Sequence, residues 1–499
     1  MALNEQEEGK VRELLTAFEN GKRISDLEEA EGPLEEMHVE VTDRTGETRR
    51  IELSRAVSEA ENAIAGRWWD ESNATPTAAG YVGSAEALRK LPETLGLGRY
   101  LVTDDRKMRK LDPRDSRRFE DGSPAALDGT MGQCMWCWSR PWYYTTWREG
   151  HRLYEVITLK PLEGHKSQRI PVGGISWFDA GVYDSETGKL CSVISDAERY
   201  RGGRSVLSTD YPDNGHGGEC DYEGSDAPQW TMLGMATTFM STTEFGEAAR
   251  KRGQGWEANW FAARAAVEIL LRVVMGTRNS QADYCGERDA DGLMQGGFGP
   301  GVTEFGNWCC CFPIIPTSTA LEMGDGTGIV KYKFPKCPNP EYENNYDVEL
   351  PVPVFYGLVF AGYGHLWRWV RGLTVSKEDG RETADVYVAP SLYADFDPES
   401  TARLKKVAEI PCGSGWISRI SMEGLCAMPT EYGGTEETGY CDYGYCNKGS
   451  GLFVRCAGGS ASFGTNAGAA YTFADYSAAD ADTLSSAPLC FFTEDVTIE

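Results

Sequence analysis

The chain has 499 residues, 41% of them hydrophobic, with 57 Gly, 23 Pro and 14 Trp, and a formal net charge of −27. That length can bury a sizeable core in one large domain or two to three smaller ones, and the acidic surplus argues against nucleic acid and anionic lipid as partners, since both are bound through clustered Lys and Arg. No apolar run of about 18 residues and no basic-then-apolar leader is found, so the expectation is a protein made in the cytoplasm, without membrane insertion.

Residues 1–30 carry eight acidic and four basic side chains, with Val11, Leu14, Leu15 and Phe18 at helical spacing and Asn20-Gly21 as a stop signal, which predicts one amphipathic helix. A lone helix of that length is marginal in water, so its apolar stripe needs a cover: the body of its own chain, a sister chain or another protein. The alternation in HVEVTDRTGETRRIEL, broken by Thr45-Gly46, predicts a hairpin from Met37 to Leu53. Residues 56–65 read as a helix, and residues 70–97, punctuated by Asn, Thr, Pro and Gly, as a loop or short subdomain, so that 31–97 forms a small α/β or loop-rich connecting region.

Short strands and turns are expected from residue 98 onward, where Trp136, Trp138, Trp142, Tyr143, Tyr144 and Trp147 suggest a buried aromatic core. TTEFGEAARKRG predicts a weak helix, and WEANWFAARAAVEILLRVVMGTRNSQ a strong one: Trp256, Trp260, Ala263, Val267, Leu271 and Val274 recur at three or four residues, and Ile269, Leu270 and Val273 widen the stripe. Glu268 on that apolar helix is either an acid or base or, as is commoner, a salt-bridged structural carboxylate. Strands are expected over 353–362, 366–375 and 383–390. Two main helices among many short irregular strands is an α+β pattern.

The fifteen cysteines, an odd count with Cys309, Cys310 and Cys311 adjacent, fit reduced thiols packed as small apolar groups. Cys134 with Cys137, and Cys441 with Cys446, offer the zinc alternative, although a structural site needs two closely spaced ligand pairs. The five histidines, at 38, 151, 165, 216 and 365, show no HExxH or His-x-His spacing, so no metal or other cofactor is expected.

Five segments follow one another in a recognisable order: the helix ending in GTRNSQ, then GHLWRWVRGLTV, SGWIS, PTEYGGTEETGYCDY, and RCAGGSASFGTNAGAAYTF running to LCFF. This order resembles the C-type lectin-like variable proteins of diversity-generating retroelements, especially those in phages of gut bacteria, a fold shared more distantly with formylglycine-generating enzymes. The resemblance implies a C-type lectin-like domain over 98–499 with a variable region at about 455–492. In such proteins a reverse transcriptase substitutes bases at template adenines, so that AAC and AAT codons become codons for many residues but never for Lys, Glu, Gln, Met or Trp. Residues 460–488 contain none of these five, and no Arg.

The ligand-binding positions so implied are Ser460, Ala461, Ser462, Phe463, Thr465, Asn466, Tyr471, Thr472, Ala474, Asp475, Tyr476, Ser477, Ala478, Asp480 and Asp482. Exposure on a loop is expected for Ser462, Phe463, Thr465, Tyr471, Asp475, Tyr476 and Ser477, with the aromatic rings as anchors and Ser, Asn and Asp as adaptable hydrogen-bonding groups. Phe473 is ambiguous and could face the core. Composition alone equally fits a Gly/Ala/Ser-rich surface tail with no partner. Trp367 and Trp369 read as core fillers, with sugar stacking as the alternative, and Asp442 either bonds the variable loop or closes a turn.

The resemblance implies a receptor-binding or adhesion protein of a phage virion, on its tail or a surface fibre, and not an enzyme. Its first residues would join phage structural proteins or sister chains, as a homotrimer. From residue 421 to 499 there are eleven acidic and two basic side chains, so the ligand is expected to be a bacterial surface protein or a neutral glycan. The alternatives are a bacterial surface-displayed relative and an enzyme of the formylglycine-generating type, for which Cys441 with Cys446, or Cys456 with Cys490, would hold copper. A calcium-dependent lectin is disfavoured, because the Glu-Pro-Asn or Gln-Pro-Asp signature is missing.

Overall fold

The computed structural model describes residues 38–42, 48–52, 64–200, 234–284, 286–303, 315–333, 349–482 and 484–498. The chain divides into two units, 1–63 and 64–499. In the first, the expected hairpin forms, with His38–Thr42 antiparallel to Thr48–Glu52 and Val41 opposite Arg49. The helix expected over 1–30 and nearly all of that expected over 56–65 lie outside the described residues, and Ala65 opens a strand.

The α+β expectation is corrected in the second unit. The described residues of the whole chain form 28 strands and only three α-helices: α1 Ala85–Leu95, α2 Thr242–Arg250 and α3 Phe261–Met275. The short segments rich in β-branched and aromatic residues pair laterally into mainly antiparallel sheets of five, seven and nine strands. A lectin-like body built round two main helices and preceded by a third is therefore not the architecture; the protein is mostly β. Residues 64–97 also belong to the second unit, where Ala65–Asp70 and Gly80–Gly83 complete the five-stranded sheet and α1 follows.

Helix α3 organises the core. All fifteen of its residues are buried, and it touches strands of all three large sheets. It is shorter than its apolar pattern predicts, because Trp256–Ala258 joins the edge of the seven-stranded sheet as a strand. Gly276, at φ 66°, closes its C-terminus. Buried Arg67 then takes up the carbonyls there and nearby, donating to Val273 O at 3.1 Å and Met294 O at 2.8 Å.

Strand Gln133–Trp138 is buried along its whole length, with Cys134, Trp136 and Trp138 on one face and Met135 and Cys137 on the other. Cys134 and Cys137 thus face different clusters, which removes them as a zinc-ligand pair. Among the described residues nine cysteines are free thiols, eight of them buried.

Asp325 gives the fold a pH dependence. Its Oδ1 accepts the Arg99 backbone N–H at 2.7 Å, its Oδ2 is buried without a partner, and burial pushes the carboxyl up to about 6. A folded-state value above the unfolded one, about 3.9, means that the fold favours the protonated acid. Its contribution to stability is full below about pH 4 and is lost as pH rises through 6, in total about 3 kcal/mol. The stability of Asp325→Asn relative to the parent chain is accordingly expected to rise by about that amount between pH 4 and pH 7 in urea unfolding; a pH-independent difference would refute it.

Candidate functional site

The segment after strand Gly451–Ala457 turns through Gly464–Asn466, returns as strand Thr472–Tyr476, and reaches Ser485–Ser486 before ending in Leu489–Phe492. Strands Gly451–Ala457 and Thr472–Tyr476 lie in the nine-stranded sheet, and Leu489–Phe492 lies inside the seven-stranded one. Both ends of the segment are therefore fixed.

Between those ends, groups from elsewhere in the chain hold its main chain. Arg264 on α3 donates through Nη2 to Ala469 O at 2.6 Å and Gly362 O at 2.7 Å. Ser280 Oγ accepts from Ala469 N at 3.0 Å, and Asp442 Oδ2 accepts from Ala470 N at 2.7 Å. The Gln281 amide donates to Gly464 O at 3.1 Å and also to Ala467 O. Ala461 N bonds His365 O at 3.1 Å, and Gly464 N bonds Thr303 O at 2.9 Å. Apart from the Arg264 bond to Gly362, each of these contacts ends on a backbone atom of the segment, so none of them depends on which side chain that residue carries.

Glycine is required at the closest approach: a Cβ on Gly468 would lie 1.7 Å from Asp442 Oδ1. Asp442 thus binds the loop, one of its two expected roles. Its burial drives its carboxyl well above the ordinary range.

Beneath the cradle lies a cluster of fully buried charges. Glu268 Oε1 accepts from Arg264 Nε at 2.8 Å and Arg455 Nη2 at 3.0 Å, and Asp179 Oδ2 accepts from Arg368 Nε at 2.6 Å. Glu268 is therefore a salt-bridged structural carboxylate. Arg455 also reaches Thr472 Oγ1 at 3.2 Å.

The fifteen expected binding positions divide by burial. Ser460, Ala461, Tyr471, Thr472, Ala474 and Ala478 are buried; Ser462, Phe463, Asn466, Asp475, Tyr476, Ser477 and Asp482 are half-buried; Thr465 and Asp480 are exposed. Tyr471, expected on the surface, is 0% exposed. The returning segment presses it onto the sheet between Phe463, at a ring distance of 5.4 Å, and Tyr445, at 6.2 Å. The alanines fill the narrow space where the loop runs back over the strands.

The rings gather round Trp367, which is 5% exposed and lies 5.0 Å from Phe463, 5.3 Å from Phe473 and 5.6 Å from Tyr476. Trp367 and Trp369 are core, as expected. Sequence reasoning missed the continuation of this aromatic face: Phe473 lies 5.7 Å from Tyr445, Tyr445 4.8 Å from Tyr443, and Tyr443 5.4 Å from Trp416. The period of two in YGYC, alternating half-buried Tyr443 and Tyr445 with buried Gly444 and Cys446, was the available signal. The cradle residues Ser280 and Gln281 sit in GTRNSQ, where nothing local marked them as loop ligands.

Charges beside the rings are paired within the chain. Asp475 bonds Lys377 and takes the Asn447 side-chain amide at 2.6 Å, Lys448 meets Glu382 at 2.5 Å, and Asp482 accepts the Tyr476 hydroxyl at 3.1 Å. Burial pushes the Cys441 and Cys446 thiols up to about 12, so both stay protonated at neutral pH. A separate cleft of about 650 Å³ is lined by residues including Asp104, Lys107, Arg109, Lys189 and Arg199. Its cations are neutralised by neighbours, Lys189 by Asp104 at 2.8 Å and Arg199 by Asp184 at 3.1 Å.

The arrangement is thus a held loop and a set of half-buried rings, hydroxyls and amides suited to non-covalent recognition. No protein-family model matches the chain, and no curated protein is similar to it.

Proposed function

We propose that this chain is a variable protein of a diversity-generating retroelement, carried on a phage particle and binding a ligand on the bacterial surface through the segment 455–492. The observation behind this reading is the cradle: the contacts from Arg264, Ser280, Gln281 and Asp442 to the loop all end on its main-chain atoms. Side chains that reach solvent can therefore change while the loop keeps its shape, and the ordering cost of binding is met by the scaffold. The residue types of 460–488 agree with adenine-directed codon change. The chain's first residues would join it to phage structural proteins or to sister chains in a trimer, where copies related by symmetry raise avidity.

Burial divides the positions by tolerance. Replacing Ser462, Thr465, Ser477 and Asp480 together is expected to change ligand choice while costing stability no more than about 0.5 kcal/mol per site, measured by thermal unfolding and binding to host cells. Unaltered binding, or a collapse in melting temperature, would remove these positions from the ligand face. The deciding genetic observation is a reverse transcriptase gene beside a near-copy of the codons for 455–492 that differs mainly at adenines; sequencing the flanking DNA tests it, and its absence rejects the retroelement reading.

A further inference from the structure

We infer that Trp416, Tyr443 and Tyr445 form a second, constant half of the binding face, a stacking strip for a neutral saccharide. This rests on the ligand-binding reading above and extends it to strands outside 455–492. Strand Gly413–Ser421 pairs antiparallel with Tyr443–Cys446, Trp416 facing Tyr443 in register. Tyr443–Cys446 in turn pairs in parallel with Thr472–Tyr476, Tyr445 facing Phe473. The register continues through Cys456 to Trp369, so the strip is the outer end of the same aromatic face that is core at Trp369. At Trp416, Tyr443, Tyr445, Phe473 and Tyr476 the face is half-buried and chemically uniform, with successive rings 4.8–5.7 Å apart.

Three observations select the ligand class. The charges directly beside the rings, Asp475, Lys448 and Glu382, are each paired within the chain, and the acidic surplus of the region repels anions. The half-buried Tyr443 and Tyr445 make no side-chain hydrogen bond to another described residue, which leaves their hydroxyls for a ligand. Tyr443–Cys446 and Thr472–Tyr476 are interior strands of the sheet, which leaves no free backbone edge there for an extended peptide to pair with. A pyranose presents an apolar C–H face to a ring and a rim of hydroxyls to tyrosyl O–H groups, which matches what the strip offers.

The test is an array of neutral oligosaccharides, their sulfated and sialylated forms and immobilised peptides, probed with the full chain. Binding to neutral members is expected, weakened at least tenfold by Trp416→Ala and by Tyr445→Ala. Tyr445→Phe should weaken it less, and thermal unfolding checks that each variant is folded. The combined Thr465 and Ser477 replacement is expected to change which neutral member is preferred. Binding to peptides or to charged forms instead, binding to no member, or unchanged affinity in the folded strip variants would overturn the strip. If strip variants abolish binding while the loop replacements alter nothing, the diversified-loop reading fails and the strip stands.

Discussion

Glu268→Ala is expected to lower the unfolding free energy by about 3–5 kcal/mol, the range found when one partner of a buried ion pair is removed. Glu268 is 0% exposed, and its Oε1 serves both Arg264 and Arg455, themselves 0% exposed. Without it two guanidinium groups remain in the core with Asp179 as the neighbouring carboxylate, 3.8 Å from Arg264 and already bonded to Arg368. Desolvation of the two guanidinium groups then loses its main compensating attraction. Urea unfolding of Glu268→Ala and Glu268→Gln against the parent chain measures the effect. The glutamine, which keeps an acceptor but no charge, should lie between the two; a loss below about 1 kcal/mol for alanine would show that the arginines find other partners.

Trp367→Ala is expected to cost about 3–5 kcal/mol, as large-to-small changes at buried aromatic sites do. Its ring is the common neighbour of Phe463, Tyr471, Phe473 and Tyr476, four side chains from different parts of the proposed variable segment. The cavity left behind would be lined by the rings of the proposed binding face. Amide hydrogen exchange should therefore speed up over 460–478 more than in α3, in parallel with the loss seen in urea. Equal protection in both regions would mean that the rings hold one another without Trp367.

The sequence showed the parts more readily than their assembly. Helix α3 was legible because a wide apolar stripe at three- and four-residue spacing has one physical solution, a buried helix. Strands Trp367–Lys377 and Thr383–Val388 were legible from β-branched and aromatic runs bounded by turn residues. The balance between helix and sheet was not, since a three-residue strand such as Trp256–Ala258 or Lys189–Cys191 acquires its identity only from a distant partner. The proposed binding segment was marked by its composition together with the motifs that flank it, yet neither carries information on direction. Tyr471 and Tyr476 look alike in the sequence; one is sealed under the loop and the other is half-buried beside Asp482.

Leu489–Phe492 follows the loop in the chain but sits between Trp256–Ala258 and Gly173–Ser176 in the seven-stranded sheet. Synthesis on the ribosome must therefore pass through the loop before that sheet can close. A reading-frame error anywhere in the loop deletes the closing strand along with it. Such a product lacks the strand that completes the seven-stranded sheet, so any chain that reaches this fold has kept its reading frame across the loop.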